Sequence, residues 1–497
     1  MNVRPNILLI TADQARSDAF GCNGNSFVRT PHLDALAARG VTFTSAFTPA
    51  PACVPARAAI TTGNYAHTCT GLKSNGGRIR DDQVKIAEHF QRAGYGTLAV
   101  GKLHYTPYSP PGQPRLLHGF QKAELFEEGR ILHQFAPRQD VRGLEDYHDF
   151  LQDSGWGGYE RAHAIGNNDV HAGPSPLPPE LHEEAWVADR TVAMLREHLA
   201  AQPGHPFFMW SSFSKPHAPY DPPQPFDRLY DPRSLPGPIG SVDLLRDRDP
   251  WLRSWPVAYG WNLMSPQAVR YARALYFGLV TFQDEMIGRI LACLRAAGQL
   301  DNTLILYTAD HGDLLGDFGC FFKANMFQGS VGVPFICAGP GVLARRTALP
   351  HLCGLQDILP TLADLTACPL DRDVQGVSLK PVLTRPLHGN VRDFYVSEYS
   401  DSPSQRYMVR SPRWKYVYHE LGGVEELYDA VEDPQELRNL AQDKPAVVAE
   451  WRTVLTDWCR QTGDLGAFGT DGALKQSPED AKSATAFQAK NMGWRWY

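Results

Sequence analysis

The segment Cys53-Val54-Pro55-Ala56-Arg57 combines residue types that support nucleophilic chemistry. Pro55 restricts the backbone just after the cysteine, and the small-residue run 58–62 ends at Gly63, which is typical of a short helix. A thiol at the start of a helix, one turn before an arginine, lies where an anionic group is stabilised. The sequence therefore predicts a reactive group at Cys53. The alternative is an ordinary buried thiol, because free cysteine is among the residue types most often buried.

Polar residues also follow four apolar segments that are predicted to be buried strands. Helical patterns over 185–200 and 266–297 alternate with these segments, which indicates an α/β fold with a mixed, largely parallel central sheet flanked by helices. In open sheets of this kind the active site forms beyond the carboxyl ends of the strands. We therefore expect a site built from the residues that follow segments 7–10, 97–100, 207–210 and 304–307, namely Asp13, Gln14, Lys102, His104, Lys215, His217, Asp310 and His311.

Two of these groups have the composition of a cation site. Asp13-Gln14 and Asp310-His311 offer carboxylate, amide and imidazole donors. Oxygen donors favour Ca²⁺ or Mg²⁺, whereas the imidazole leaves Mn²⁺ and Zn²⁺ open. The alternative for each residue alone is a turn cap or a structural polar side chain. The two Asp-led pairs at strand ends together predict one shared divalent cation.

The other two groups suit the binding of an oxyanion and the movement of a proton. Lys102 and His104 are two residues apart, so in a continuing strand their side chains share one face. A lysine beside a histidine in a pocket can hold an oxyanion and transfer a proton. Lys215-Pro216-His217 forms a second such pair in a proline-rich turn, and Lys323 is a candidate cation on a glycine-rich loop. The alternatives are solvated lysines and packing histidines.

Composition restricts the class of protein. At 497 residues the chain is long enough for two domains. A net charge of −6 argues against a nucleic-acid partner, so any positive potential is expected to be local to a pocket. The nine cysteines lack paired spacing, which favours reduced thiols. With no leader segment before residue 6 and no long apolar run, we predict a cytoplasmic protein without a membrane partner.

The residue pattern changes from about residue 391, which predicts a second domain. Alternating segments at 394–396, 406–410 and 414–418, followed by a helical pattern over 445–461, indicate a smaller α+β domain with an antiparallel sheet. We divide the chain into a large α/β domain (1–385), this C-terminal domain (386–463) and a tail (464–497). The tail ends in Trp494-Arg495-Trp496-Tyr497. We interpret it as a contact with the pocket or with a second copy of the chain, the alternative being a frayed end.

Together the motifs resemble the type I sulfatases of the alkaline-phosphatase superfamily. Cys-x-Pro-x-Arg, Gly-Lys-x-His, Lys-Pro-His-x-Pro and Asp-His-Gly-Asp occur in the order of that family, and the resemblance covers about residues 4–441. Within it the chain is similar to bacterial choline-sulfatase-like and arylsulfatase-like members. Gln14 departs from the second Asp of many sulfatases and also occurs in phosphonate and phosphodiester hydrolases of the superfamily. Those hydrolases typically lack the Gly-Lys-x-His motif, which is intact here at 101–104.

The resemblance implies a reaction and a maturation step. A maturation enzyme oxidises the cysteine of that family to formylglycine, whose hydrate carries two hydroxyls on one carbon. One hydroxyl attacks the sulfur of a sulfate monoester, and the other then expels sulfate as the aldehyde re-forms. The resemblance implies that the cation ligands are Asp13, Gln14, modified Cys53, Asp310 and His311. Arg57 would support the hydrate, and Lys102 with His104 would orient it and remove its proton. His217, as the general acid, and Lys323 would contact the leaving oxygen.

Two alternative functions stay open at this point. The first is hydrolysis of phosphonate monoesters or phosphate diesters with the same aldehyde and cation, and the second is non-catalytic anion binding on the same scaffold. The alcohol part of the substrate, a small molecule or a saccharide, is not determined by the motifs. Four aromatic residues in the segment 218–262 could stack on a sugar, an aryl ring or a quaternary ammonium, the alternative being a packed core: Trp251, Trp255, Tyr259 and Trp261. That segment and 105–180 are interpreted as long loops that frame the pocket.

Overall fold

An eight-stranded sheet forms the centre of the computed structural model, which describes residues 4–104, 114–128, 142–344, 347–385, 391–401 and 404–479. The strand order is β4-β3-β5-β1-β6-β7-β2-β8. Only β7 runs antiparallel to its neighbours among these described strands, and the other pairs are parallel. The prediction of a mixed, largely parallel sheet is confirmed. The strands are β1 (Asn6–Asp13), β2 (Gly40–Phe47), β3 (Gly96–Gly101), β4 (Lys122–Leu125), β5 (Phe207–Pro216), β6 (Thr303–Ala309), β7 (Phe335–Ala338) and β8 (Thr347–Gly354).

The four predicted apolar segments occupy neighbouring strands at the centre of this sheet. β1 pairs with β5 on one side and with β6 on the other, and β3 pairs with β5. All residues of these four strands are buried because helices cover both faces of the sheet. Their carboxyl ends therefore lie side by side, and the residues that follow them can reach one site.

Helices connect the strands and pack on the sheet. The long helices α6 and α8 pack against each other and against β5. None of the helices in the described ranges has both the length and the apolar character needed to cross a bilayer. The α-helices are α1 (Pro31–Ala38), α2 (Cys53–Thr62), α3 (Ala66–Cys69), α4 (Ile86–Arg92), α5 (Asp146–Asp153), α6 (Glu183–Ala201), α7 (Trp255–Ala258), α8 (Pro266–Ala296), α9 (Gln328–Val331), α10 (Ile358–Leu365), α11 (Lys380–Thr384) and α12 (Pro445–Thr462).

A second sheet follows in the C-terminal part. It contains β9 (Tyr395–Asp401), β10 (Ser404–Arg410), β11 (Trp414–His419) and β12 (Glu425–Asp429), all antiparallel and in the order β12-β11-β10-β9. Helix α12 packs on three of these strands. The predicted antiparallel sheet is confirmed. The boundary at 385/386 adjoins residues outside the described ranges, and both domain boundaries stay predictions.

The two segments interpreted as long loops contain short regular elements. The segments 105–180 and 218–262 are not wholly loops, because β4 and α5 lie in the first and α7 in the second. These elements are only four to eight residues long, which is why the sequence did not show them. The aromatic end of the tail, Trp494 to Tyr497, lies outside the described residues, and its proposed contact stays a prediction.

Candidate active site

Cys53 is the first residue of α2 and lies in the protein interior. Its exposed fraction is 1%, and the helix ends at Gly63, whose φ of 71° is left-handed. The N–H of Val54, in the first turn, donates to Asn75 Oδ1 at 3.1 Å. The predicted helix and its glycine end are confirmed, and the thiol lies at the helix N-terminus as expected.

The thiol lies within a cluster of cation-binding side chains. Ligand atoms of Asp13, Cys53, Asp310 and His311 all lie within 4.8 Å of one another. Cys53 Sγ is 3.2 Å from His311 Nε2 and 3.8 Å from Asp13 Oδ1. The structure thus brings together residues from β1, α2 and the end of β6, with oxygen, nitrogen and sulfur donors facing one point.

Two buried cations balance the carboxylates of this cluster. Arg57 Nε donates to Asp310 Oδ2 at 2.8 Å, and its Nη2 donates to Asp13 Oδ2 at 3.3 Å. Lys102 Nζ lies 2.5 Å from Asp13 Oδ2 and 3.0 Å from Glu128 Oε1. Burial alone would raise the pKa of Asp13, but Lys102 and the other positive groups hold it well below its ordinary value. Asp13 is therefore ionised and available as a ligand.

The environment of Cys53 differs from that of the structural cysteines. Burial and the charge of Asp13 raise the pKa of the thiol, but the positive groups around it, Lys323 first, bring it below its ordinary value. Burial raises the pKa of Cys69 to about 12 and that of Cys337 to about 12. A thiol with a lowered pKa inside a cluster of charged groups is typical of a functional cysteine. The alternative of an ordinary buried thiol is therefore not favoured.

The strand that would have placed Lys102 and His104 on one face does not continue to these residues. β3 ends at Gly101, where φ is 97°, and the chain turns instead of continuing as a strand. Glu127 Oε1 accepts the backbone N–H groups of Leu103 and His104, and His104 has a left-handed φ of 51°. Lys102 is fully buried in the site, whereas His104 is half-buried.

His217 presents one ring nitrogen to the site. Its Nδ1 lies 2.7 Å from the carbonyl oxygen of Ala218, so Nδ1 carries the proton in the neutral ring. Nε2 is buried without a hydrogen-bond partner among the described residues. Burial and then the charge of Lys323 hold the pKa of His217 well below its ordinary value. Nε2 is therefore available to a ligand.

Lys323 and Lys215 have different positions. Lys323 Nζ donates to Gln14 Oε1 at 2.5 Å and so belongs to the site. Lys215 Nζ instead donates to Asp221 Oδ1 at 2.6 Å and to the carbonyl oxygen of Pro219. The pairing of Lys215 with His217 in one oxyanion site is wrong, because Asp221 holds the ammonium elsewhere.

The aromatic residues of the segment 218–262 form a packed cluster. Trp251, Trp255 and Trp261 are 7%, 3% and 6% exposed. The ring centroids of Trp251 and Trp255 are 4.6 Å apart, and those of Tyr259 and Trp261 are 4.7 Å apart. These contacts favour the packed-core interpretation over an open stacking surface.

Several residues of the site had no clear signal in the sequence. Glu128 contacts Lys102, and its Oε2 accepts from Asn167 Nδ2 at 3.1 Å. Tyr220 donates to Asp313 Oδ2 at 2.6 Å. Asp313 belongs to the motif Asp-His-Gly-Asp, which could have identified it. The other three are isolated polar residues, which no spacing rule distinguishes from surface positions.

Replacing Arg57 with alanine is expected to lower the free energy of unfolding by about 3–5 kcal/mol, because two buried carboxylates lose their shared partner. Urea unfolding in the presence of a chelator measures this loss. Arg57→Lys, which keeps the charge but lacks the forked geometry, is the matched control and is expected to lose less. A loss below about 1 kcal/mol for Arg57→Ala, as for an exposed ion pair, would contradict this assignment.

The chain is similar to known sulfatases along most of its length. The family model "Sulfatase" matches residues 5–367, and the model "N-sulphoglucosamine sulphohydrolase, C-terminal" matches residues 316–458. An arylsulfatase from Clostridium perfringens is 32% identical over 451 residues, covering 88% of this chain and 90% of that protein. A choline-sulfatase from Rhizobium meliloti is 31% identical over 505 residues, covering 99% and 92%.

A solved structure has the same fold over almost the whole chain. The phosphonate monoester hydrolase from Silicibacter pomeroyi superposes with a TM-score of 0.77 at 25% sequence identity, covering 95% of this chain and 99% of that chain. The family model covers well over half of the chain, and the relatives are similar along nearly their full lengths. The chain belongs to the sulfatase family.

Proposed function

We propose that the protein hydrolyses a sulfate monoester to an alcohol and inorganic sulfate, with a formylglycine formed from Cys53 as the nucleophile. The observation that carries this proposal is the position of Cys53 Sγ, 3.2 Å from His311 Nε2 and 3.8 Å from Asp13 Oδ1 at the start of α2. In the matured protein Cβ becomes the aldehyde carbon and oxygen takes the place of this sulfur, so the hydrate hydroxyls lie among the same side chains. Family membership supports the same reaction.

The donor set fits a hard divalent cation. Asp13 and Asp310 would supply carboxylates, His311 an imidazole and the modified Cys53 a hydroxyl oxygen. The amide oxygen of Gln14, which accepts from Lys323 Nζ, would be a further ligand. The oxygen-rich set supports Ca²⁺ as the ion, with Mg²⁺, Mn²⁺ and Zn²⁺ as alternatives. When bound, such an ion supplies positive charge that makes a hydroxyl more acidic and stabilises developing negative charge.

The remaining charged residues bind the sulfate group and move protons. Lys102 and Lys323 are buried ammonium groups beside the nucleophile, suited to the sulfate oxygens. His217 Nε2 is suited to protonate the leaving oxygen, because Nδ1 is fixed by Ala218. Lys102 orients the second hydroxyl, and His104 is the base that takes its proton, which expels sulfate and restores the aldehyde.

Partners and location follow from the same assignment. The substrate is a small-molecule or saccharide sulfate ester, and a formylglycine-generating enzyme is the maturation partner. A cytoplasmic location is supported by the nine cysteines, which form no disulfide in the part of the chain that the structure describes. The C-terminal tail as a contact between copies of the chain remains part of this proposal.

A second candidate reaction is the hydrolysis of phosphonate monoesters or phosphate diesters. The similarity to a phosphonate monoester hydrolase and the amide at Gln14 favour it. Lys102, which lies buried beside Asp13, favours the sulfate reaction, because it belongs to the Gly-Lys-x-His motif that the phosphonate and phosphodiester hydrolases of the superfamily typically lack.

A panel of esters separates the two reactions. With the matured enzyme, kcat/KM for an aryl sulfate, choline sulfate and sulfated mono- and oligosaccharides is compared with that for an aryl phosphonate monoester and a phosphate diester. We expect kcat/KM for the best sulfate ester to exceed kcat/KM for both phosphorus substrates by at least about tenfold. This ratio corresponds to about 1.4 kcal/mol in the activation barrier. Faster turnover of the phosphorus substrates would establish the second reaction. Binding without turnover of any ester would establish a non-catalytic anion-binding protein.

A further inference from the structure

Gln14 is held by its backbone and its side chain at the same time. It follows β1 with a left-handed φ of 66°, which is strained for a residue with a side chain. Its backbone N–H donates to Asp310 Oδ1 at 3.0 Å, and its carbonyl oxygen accepts from the Tyr276 hydroxyl at 2.8 Å. Its side-chain Nε2 donates to Asp313 Oδ2 at 2.6 Å, and Oε1 accepts from Lys323 Nζ at 2.5 Å. Surrounding groups thus fix a strained conformation at the site.

The chemistry of its two partners fixes the direction of the Gln14 amide. An ionised carboxylate such as Asp313 only accepts hydrogen bonds, and an ammonium such as Lys323 only donates them. A flipped amide would place its oxygen against the carboxylate and its NH₂ group against the ammonium. Oε1 must therefore point away from Asp313, on the side of Lys323.

Asp313 is a fully occupied acceptor. Its Oδ1 accepts the backbone N–H groups of Leu315 and Phe322 at 2.8 and 2.7 Å. Its Oδ2 accepts from Gln14 and from the Tyr220 hydroxyl, at 2.6 Å each. Burial, together with Asp313, raises the pKa of Tyr220 well above its ordinary value, so this hydroxyl remains a donor. A carboxylate can accept from all four donors at once, whereas an asparagine would present its NH₂ group to one pair of them.

We infer that Asp313 is a positioning residue for the cation site, which holds the Gln14 amide with its oxygen directed away from itself and toward the cation. The inference rests on the proposed function, in which Gln14 is a ligand with Asp13 and Asp310. Asp313 also carries a negative charge directly beside Gln14, whereas a carboxylate at position 14 would have carried this charge itself. Partners of this kind, which orient and polarise a ligand, typically contribute about 10–100-fold to metal affinity.

The competing explanation is that Asp313 only anchors the loop that leads to Lys323, through Leu315 and Phe322. An exchange of the two groups distinguishes the explanations. In the double variant Gln14→Glu/Asp313→Asn, the asparagine oxygen still accepts hydrogen bonds from both backbone N–H groups. The asparagine NH₂ group donates to the new carboxylate at position 14. Total charge is unchanged, and Tyr220 can accept from the asparagine while it donates to the glutamate.

The experiment measures Ca²⁺ binding by calorimetry to the full-length matured protein after removal of metal with a chelator. We expect Asp313→Asn to weaken binding by about 10–100-fold and the exchange variant to bind at least about tenfold more tightly than that single variant. Asp317→Asn is the matched control: it is a buried carboxylate on the same loop, bound by Arg16 and by the N–H of Ile239, and its substitution should leave Ca²⁺ affinity unchanged.

The possible results separate the inference from the proposed function. If the unsubstituted protein binds Ca²⁺ and Asp313→Asn binds it equally well, or the exchange variant binds no better than that single variant, the inference is overturned and the proposed function stands. If the unsubstituted protein binds none of Ca²⁺, Mg²⁺ or Mn²⁺, both are overturned. If Asp313→Asn does not fold, as thermal melting of the metal-free protein would show, the exchange variant decides alone: near-native affinity supports the inference, and lost binding overturns it.

Discussion

Cys53→Ala is expected to lower kcat for sulfate ester hydrolysis by on the order of 10⁴-fold or more, because the reacting group is removed while the charged pocket remains. The residual rate would come from Lys102, Lys323 and the cation site acting on a water molecule. Cys53→Ser should be just as defective in turnover for a different reason. A serine hydroxyl can take up the sulfate group, but it lacks the second hydroxyl that expels sulfate from the hydrate.

Mass spectrometry of the peptide that contains Cys53 provides the control for both variants. Active preparations should carry an aldehyde or its hydrate at this residue, and the serine variant treated with substrate should carry one added sulfate group. Thermal melting should show that Cys53→Ala is folded, since the substitution removes one atom at the start of α2. An active enzyme in which residue 53 is wholly a thiol would refute the formylglycine mechanism.

The central sheet could be predicted because its strands carry a local signal. Runs such as 7–10 and 304–307 are continuously apolar because both faces of a central parallel strand are buried. The position of the site followed from the same signal, since residues after parallel strands meet at one edge of the sheet. The antiparallel direction of β7 could not be predicted in this way, because a short buried apolar run does not show in which direction the strand runs.

The partners within the site could not be predicted from spacing. Arg57 contacts Asp310, which lies 253 residues further along the chain, and Gln14 contacts Asp313, which lies 299 residues away. Such pairs depend on the tertiary fold and leave no periodic pattern. The assumption of a continuing strand at Lys102 and His104 failed for a local reason. β3 ends at Gly101, and the backbone N–H groups of Leu103 and His104 donate to Glu127 Oε1. Sequence therefore indicated which residue types meet, whereas structure showed which of them pair.

His217→Ala is expected to reduce kcat/KM by about 10²–10⁴-fold for sulfate esters with poor leaving groups and much less for those with good ones. The reason is that a basic leaving oxygen needs a proton, whereas a nitrophenolate leaves without one. In the free protein, burial and Lys323 keep the ring neutral, since they lower the pKa of His217. The negative charge of a bound sulfate ester opposes this lowering of the pKa of His217 and favours the protonated ring. A series of aryl sulfates with graded phenol pKa values measures the dependence as the slope of log kcat/KM.

His182, the residue directly before helix α6, offers a matched control. It is also a buried histidine whose pKa burial lowers, and it bonds the backbone of Glu184 and Asp221 rather than facing the site. His182→Ala should lower stability and leave the leaving-group slope unchanged, whereas His217→Ala should steepen it. An equal loss for every leaving group in His217→Ala would show that the ring only binds or packs. The proton would then come from Lys323, the other residue proposed to contact the leaving oxygen. The same series of esters with Lys323→Ala would in that case show the steeper slope.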